Sequence, residues 1–123
     1  MVHDVDQKSV FDLSEELMGL SARARDKKLK HGELKGGTFT ISSLGGIGGT
    51  GFSPIVNPPE VAIMGISRSA WKQVYDKTSR EFVAKFIMPF SLSYDHRVID
   101  GAAAAAFTLR FADILSDLNH FKD

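Results

Sequence analysis

The chain has 123 residues, of which 43% are hydrophobic and 24% charged, a composition that suits one globular domain and excludes disordered and collagen-like classes. The 15 basic side chains balance the 15 acidic ones, so nothing in the charge points to nucleic acid or an anionic membrane as partner. No cysteine is present, which excludes disulfides, a thiolate zinc site and a cysteine nucleophile.

The N-terminal Met1-Val2-His3-Asp4 lacks the basic and apolar regions of a signal peptide, and no apolar run approaches the ~20 residues of a membrane span. A cytoplasmic or matrix location is the expectation. From Ser9 to Lys30 the apolar residues Val10, Leu13, Leu17, Leu20 and Ala24 recur at steps of three and four, which predicts a long amphipathic helix. Ser9 is placed to cap it. Asp12, Glu15 and Glu16 lie near its positive end and Arg23, Arg25, Lys27, Lys28 and Lys30 near its negative end, so the basic cluster is read as complementing the helix dipole on a solvated face. His31-Gly32 is expected to stop the helix.

Residues 38–44 alternate and are rich in β-formers, predicting a strand that runs into a pliable glycine loop. Gly46-x-Gly48-x-x-Gly51 formally matches a dinucleotide fingerprint, but Phe52-Ser53-Pro54-Ile55-Val56-Asn57-Pro58-Pro59 cannot open the helix which that fingerprint needs. Asn57-Pro58-Pro59 reads as a turn. Two further strands are expected, at 61–67 and at 82–94, the second interrupted or at an edge because of Pro89. Gly101 to Leu118 predicts a second helix, with Ala102 to Ala106 allowing close approach and Phe107, Phe111, Ile114, Leu115 and Leu118 as its apolar stripe. The class is α plus β.

Chemistry concentrates in Ser93-Tyr94-Asp95-His96-Arg97-Val98-Ile99-Asp100-Gly101, between a predicted strand and a predicted helix. A histidine there can take a proton near neutral pH if a neighbour holds its other ring nitrogen. The residues alone leave two readings open: His96 as a base, or a turn histidine with Asp100 acting only as N-cap of the following helix. Gly-x-Ser-x-Gly is absent, which argues against a serine nucleophile elbow. His3, His31 and His120 have no partners at metal-ligand spacing, so no metal site is expected.

Asp95-His96-Arg97-Val98-Ile99-Asp100-Gly101 resembles the DHRxxDG signature of the dihydrolipoyl acyltransferase catalytic domains of 2-oxo acid dehydrogenase complexes. Phe39 to Gly45, Pro54 to Ile63 and Leu92-Ser93-Tyr94 resemble the same family in order and approximate spacing, and the likeness runs from about Asp4 to Leu118. Ser42-Ser43-Leu44-Gly45 is closer to the acetyltransferase branch, that of pyruvate dehydrogenase complexes, than to the succinyltransferases. Chloramphenicol acetyltransferase and the condensation domains of peptide synthetases share a His-x-x-x-Asp-Gly element and are the alternative relatives. Asp95 in place of a second histidine argues against the condensation domains.

The resemblance implies a chloramphenicol-acetyltransferase-like two-layer α/β sandwich, with residues 1–123 forming the C-terminal half of the domain and no lipoyl or subunit-binding domain. It implies acyl transfer from acyl-dihydrolipoamide, carried on a lipoyl domain, to coenzyme A, with both molecules as substrates and no tightly bound cofactor. His96 would be the general base and Ser42 the oxyanion donor. Asp100 would hold the histidine loop through an ion pair, with Asp95, Arg97 and Ser43 as orienting or channel residues. The site would lie between subunits of a trimer, so a half-domain is expected to expose apolar faces of its helix and sheet, to associate, and to turn over weakly or serve only in assembly.

Overall fold

The computed structural model describes residues 1–121, except the side chain of Leu118, so the part of the predicted stripe at Leu118 lies outside the described residues. The chain forms two compact units, residues 1–37 with 113–121, and residues 38–112.

In the first unit, Val10–Arg25 forms helix α1. Ser9 starts it through a reciprocal capping box, its Oγ accepting from the Asp12 N–H at 3.2 Å while the Asp12 carboxylate accepts from the Ser9 N–H at 3.2 Å. The helix ends five residues before the expected Lys30. Lys27 turns left-handed at φ 57°, and the Lys28 and Lys27 N–H groups return to the carbonyls of Arg23 and Ala24 at 2.8 and 3.1 Å, a Schellman stop with lysine where glycine is usual. Glu33, in a single 3-10 turn at His31–Leu34, pairs with Arg23 at 2.6 Å. Its carboxyl is held below the usual range by the Lys30 N–H first and by Arg23 second. No residue of α1 is buried, and Val10, Phe11, Leu17 and Met18 are exposed, as expected for an unpartnered amphipathic face.

In the second unit, β1 (Thr40–Ser43) pairs parallel with β2 (Ala62–Ile66), and β2 pairs antiparallel with β5 (Phe90–Tyr94). A separate hairpin joins β3 (Ala70–Asp76) to β4 (Glu81–Ile87). Helix α2 (Gly101–Ser116) begins in this unit. β2 has neighbours on both edges and material on both faces, so its apolar run Ala62-Ile63-Met64 is buried, Met64 to 1% exposure.

Side chains alternate along each strand, and laterally paired residues share a face. One face of the sheet therefore carries Met64, Leu92 and Phe90, and Phe90 meets Phe111 of α2 edge-on at 5.0 Å between ring centroids. That contact makes the helix-on-sheet layer of the unit. The other face is built from the rows Thr40–Ile63–Ser93 and Ser42–Gly65–Ser91.

Two expectations are corrected. Strand β3 was not foreseen, whereas the segment 82–94 is interrupted at Pro89 as expected, giving two strands; the Pro89 carbonyl accepts from the Ser67 N–H at 3.0 Å while its ring supplies no donor. The α2 stripe is also less buried than its periodicity suggests: Ala104 is buried, whereas Phe107 and Leu115 are exposed.

Candidate active site

The Asp95–Asp100 turn is fastened at both ends. At its start the Asp95 N–H donates to the Val61 carbonyl at 2.8 Å, one residue beyond the last β2–β5 pair, and the Asp95 carbonyl accepts from Val98 and Ile99, both at 3.0 Å. The Asp95 carboxylate accepts from the Arg97 backbone N–H at 3.0 Å and from its guanidinium at 2.6 to 3.1 Å. These bonds, with the nearby positive charge, hold the Asp95 carboxyl down to about 2 and raise the Arg97 guanidinium. At the far end Asp100 Oδ1 accepts from the Ala103 N–H at 2.7 Å and its carbonyl accepts from Ala104 at 3.1 Å, which starts α2.

His96 stands between these anchors, exposed, its ring 5.7 Å from that of Tyr94. Tyr94, Asp95, His96 and Arg97 line a cleft of about 500 Å³ whose opposite wall includes Pro58 and Glu60 from the turn before β2. Among the described residues no hydrogen bond reaches the His96 ring, so none of them is the neighbour expected to hold its second nitrogen. Among the described residues the ion pair of the loop is Arg97–Asp95, and Asp100 takes the other role that the sequence left open to it, that of helix cap.

Ser42 and Ser43 point to opposite faces of β1. Ser42 is half-buried and its hydroxyl has no hydrogen-bond partner among the described residues, whereas Ser43 is exposed and its Oγ accepts from the Gly45 N–H at 3.4 Å. Ser42 is thus free to donate to something outside its own chain. It is not near His96, however. The register sets Ser42 opposite Gly65, three rows from the Ala62–Tyr94 end beyond which His96 lies, roughly 10 Å along the strands and two strands across.

Sequence reasoning missed the residues that pack over Gly65, the lateral neighbour of Ser42. A Cβ on Gly65 would come within 2.8 Å of both the Phe52 ring tip and Ser91 Oγ, and Ser91 Oγ donates to the Phe52 carbonyl at 2.5 Å. The available signal was a lone glycine inside an apolar strand, a common sign of close approach. The glycine loop before Phe52 turns on two bonds to the Leu44 carbonyl, from Ile47 at 2.9 Å and Gly48 at 3.0 Å, with Gly48 and Gly49 at positive φ. Residues 51–57 contain no helix, which removes the dinucleotide reading. Among the described residues no three His, Asp or Glu side chains gather in a way that could hold a metal ion.

Residues 1–121 match the family model of the 2-oxoacid dehydrogenases acyltransferase catalytic domain. The acetyltransferase component of the Pseudomonas aeruginosa pyruvate dehydrogenase complex is 52% identical over 118 residues, which cover 96% of this chain and 21% of that protein. A crystal structure from work on the roles of a serine, a histidine and an asparagine in catalysis by the Azotobacter vinelandii dihydrolipoamide acetyltransferase superposes with a TM-score of 0.93 at 52% identity, covering 98% of this chain and 49% of that one. A truncated catalytic core of the 2-oxoacid dehydrogenase complex from Thermoplasma acidophilum superposes at 0.81 with 37% identity, covering 96% and 50%. The chain therefore spans about half of these solved chains and about a fifth of the curated relative. The expected chloramphenicol-acetyltransferase-like fold class is the one these cores have.

Proposed function

The chain belongs to the family of 2-oxoacid dehydrogenase acyltransferase catalytic domains, and from that premise we propose that it carries the acid–base half of a site that moves an acetyl group between dihydrolipoamide and coenzyme A. The observation that carries this reading is His96, held in the cleft wall by the Asp95–Arg97 chelate on one side and the Asp100 cap on the other. In the Azotobacter enzyme the histidine and asparagine under study are four residues apart, the separation of His96 and Asp100.

In the forward direction a nitrogen of His96 takes the proton from the coenzyme A thiol, and the thiolate attacks the acetyl carbonyl of the lipoyl thioester. The carbonyl oxygen becomes an oxyanion and accepts a hydrogen bond from Ser42. Collapse breaks the bond from carbon to the lipoyl sulfur, and the imidazolium returns its proton to that sulfur. Both sulfurs belong to the substrates, so a chain without cysteine is sufficient.

Ser42 and His96 are separated in one chain, so the reading requires the serine of one copy beside the histidine of another. One solved relative is the cubic core of the pyruvate dehydrogenase multienzyme complex, and we place this chain in a core of that kind, built on trimers. Coenzyme A and a lipoyl domain are its proposed partners, with no resident cofactor. We further propose that residues 1–123 are the C-terminal half of the catalytic domain and that the site works in the cytoplasm or a mitochondrial matrix.

A second reading, assembly without turnover, is favoured by the aromatic face of the β3–β4 hairpin. Trp71 and Phe86 pair at 5.4 Å and Tyr75 and Phe82 at 5.5 Å, yet Trp71 is 71% and Phe82 70% exposed. Such a patch calls for a covering partner. The two readings separate on acetyl transfer from acetyl-coenzyme A to free dihydrolipoamide, measured with the purified chain and its His96→Ala variant while oligomeric mass is recorded. Turnover lost in the variant supports the enzyme, and an oligomer without turnover in either supports assembly.

A further inference from the structure

The serine proposed to meet the oxyanion sits in a row that lacks a central side chain. In Ser42–Gly65–Ser91 the three residues are lateral neighbours and share one face, so the missing Cβ at Gly65 leaves a gap one strand wide beside Ser42. Phe52 fills that gap. Its ring tip and an adjoining ring carbon lie 2.8 and 3.1 Å from where a Gly65 Cβ would stand, and its carbonyl is tied to Ser91 Oγ at 2.5 Å. The ring tip thus lies over Gly65, the residue that separates Ser42 from Ser91 in the row.

A free serine hydroxyl has three staggered positions to choose from. Catalysis by an oxyanion donor requires one of them to be preset, because donors that must reorganise lose most of their effect. Among the described residues no hydrogen bond to the Ser42 hydroxyl selects a rotamer, which leaves steric selection. The side chain seated on the lateral neighbour of Ser42 is Phe52.

We propose that Phe52, seated on Gly65 and tied by Ser91, is a positioning residue that fixes the Ser42 hydroxyl and shields it from water. This rests on the oxyanion role proposed for Ser42. It also accounts for the glycine at 65, since any side chain there would displace the ring, and for the loop that precedes Phe52, whose left-handed Gly48 and Gly49 bring the chain back over the sheet.

The test uses Phe52→Leu, the milder Ser91→Ala, Ser42→Ala and the double variant Phe52→Leu/Ser42→Ala in the full chain. The readouts are acetyl-transfer kinetics and the β-proton couplings of Ser42 and Ser43 by NMR. Phe52→Leu is expected to lower kcat by about tenfold, less than the 10²–10³-fold that follows outright loss of an oxyanion donor, with KM for coenzyme A within about twofold. In the Ser42→Ala background the same change should cost less than about twofold, because residues acting as one unit are not additive. Ser42 should show one χ1 rotamer in the parent chain and averaged couplings in Phe52→Leu, with a smaller change in Ser91→Ala and none at Ser43.

An equal loss from Phe52→Leu with and without Ser42 would overturn the proposal, as would a Ser42 rotamer indifferent to Phe52. Full activity in Ser42→Ala would instead remove the oxyanion role of Ser42, and the couplings would still decide whether Phe52 sets its rotamer. If the parent chain does not turn over, the couplings alone decide in the same way.

Discussion

Gly65 is where a single methyl group should report on the packing argued for the site. In Gly65→Ala the new Cβ meets the Phe52 ring tip and Ser91 Oγ, each at 2.8 Å. Both atoms are ends of side chains, so the backbone need not move: Ser91 rotates, its bond to the Phe52 carbonyl is lost, and the ring swings off β2. A lost hydrogen bond of this kind costs about 1 kcal/mol, and overpacking of a tight site typically costs 1–3 kcal/mol in all, so a loss of about 1–3 kcal/mol is expected. Urea denaturation followed by the fluorescence of Trp71, the only tryptophan, reads the same unit. Gly19→Ala is the control, because nothing lies within 4 Å of a Cβ there and the position is inside α1. It should stabilise by about 0.5–1 kcal/mol, read by far-ultraviolet circular dichroism. A Gly65→Ala chain within about 0.5 kcal/mol of the parent would refute the packing, and with it the seat assigned to Phe52.

Lys27→Gly should stabilise the end of α1 by about 0.5–1 kcal/mol, since lysine there bears the strain of φ 57°, and thermal melts of the helix signal would show it. Asp100→Ala should cost about 1 kcal/mol by removing the α2 cap, whereas Asp100→Asn, which caps equally well, should stay within a few tenths; a loss with asparagine as large as with alanine would revive an ion pair at this position. The Asp95 carboxyl is depressed by Arg97, so its contribution to stability is complete above the ordinary carboxylate value and disappears as pH falls through about 2. An NMR titration of Asp95 should therefore show no transition between pH 7 and pH 4 in the parent chain, and in Arg97→Ala a transition moved up toward the ordinary carboxylate range but still below it, because the backbone N–H of residue 97 remains a donor.

What the sequence made legible follows what buried or capped the chain locally. Ser9 and Asp12 announced the start of α1, and the strand expected at 61–67 is β2, whose central place in the sheet the structure adds. The end of α1 was overrun because Lys27 occupies the left-handed position that glycine would have marked. β3 was missed because Trp71, Val74 and Tyr75 place apolar groups on both sides of a ribbon whose aromatic face is open, so no clean alternation was imposed. At the site, the turn around His96 was readable from its crowded ionisable residues. The Asp100 cap was legible too, whereas the pairing of Arg97 with Asp95 was not, since an ion pair two residues apart depends on the geometry of the turn. The Phe52–Gly65–Ser91 arrangement depends on a loop residue meeting a strand residue 39 positions away, which no local pattern encodes.

The claim that His96 and Ser42 act from different copies is tested most directly by subunit complementation. His96→Ala and Ser42→Ala chains would be assayed for acetyl transfer separately, then unfolded, mixed in equal amounts and refolded together. If each site takes its histidine from one copy and its serine from a neighbour, both variants should be nearly inactive alone. The mixture should then recover roughly a quarter of the parent activity, the share of neighbouring pairs that carry both intact residues in a heterologous assembly. A mixture that forms mixed oligomers and stays as inactive as its components would contradict the account.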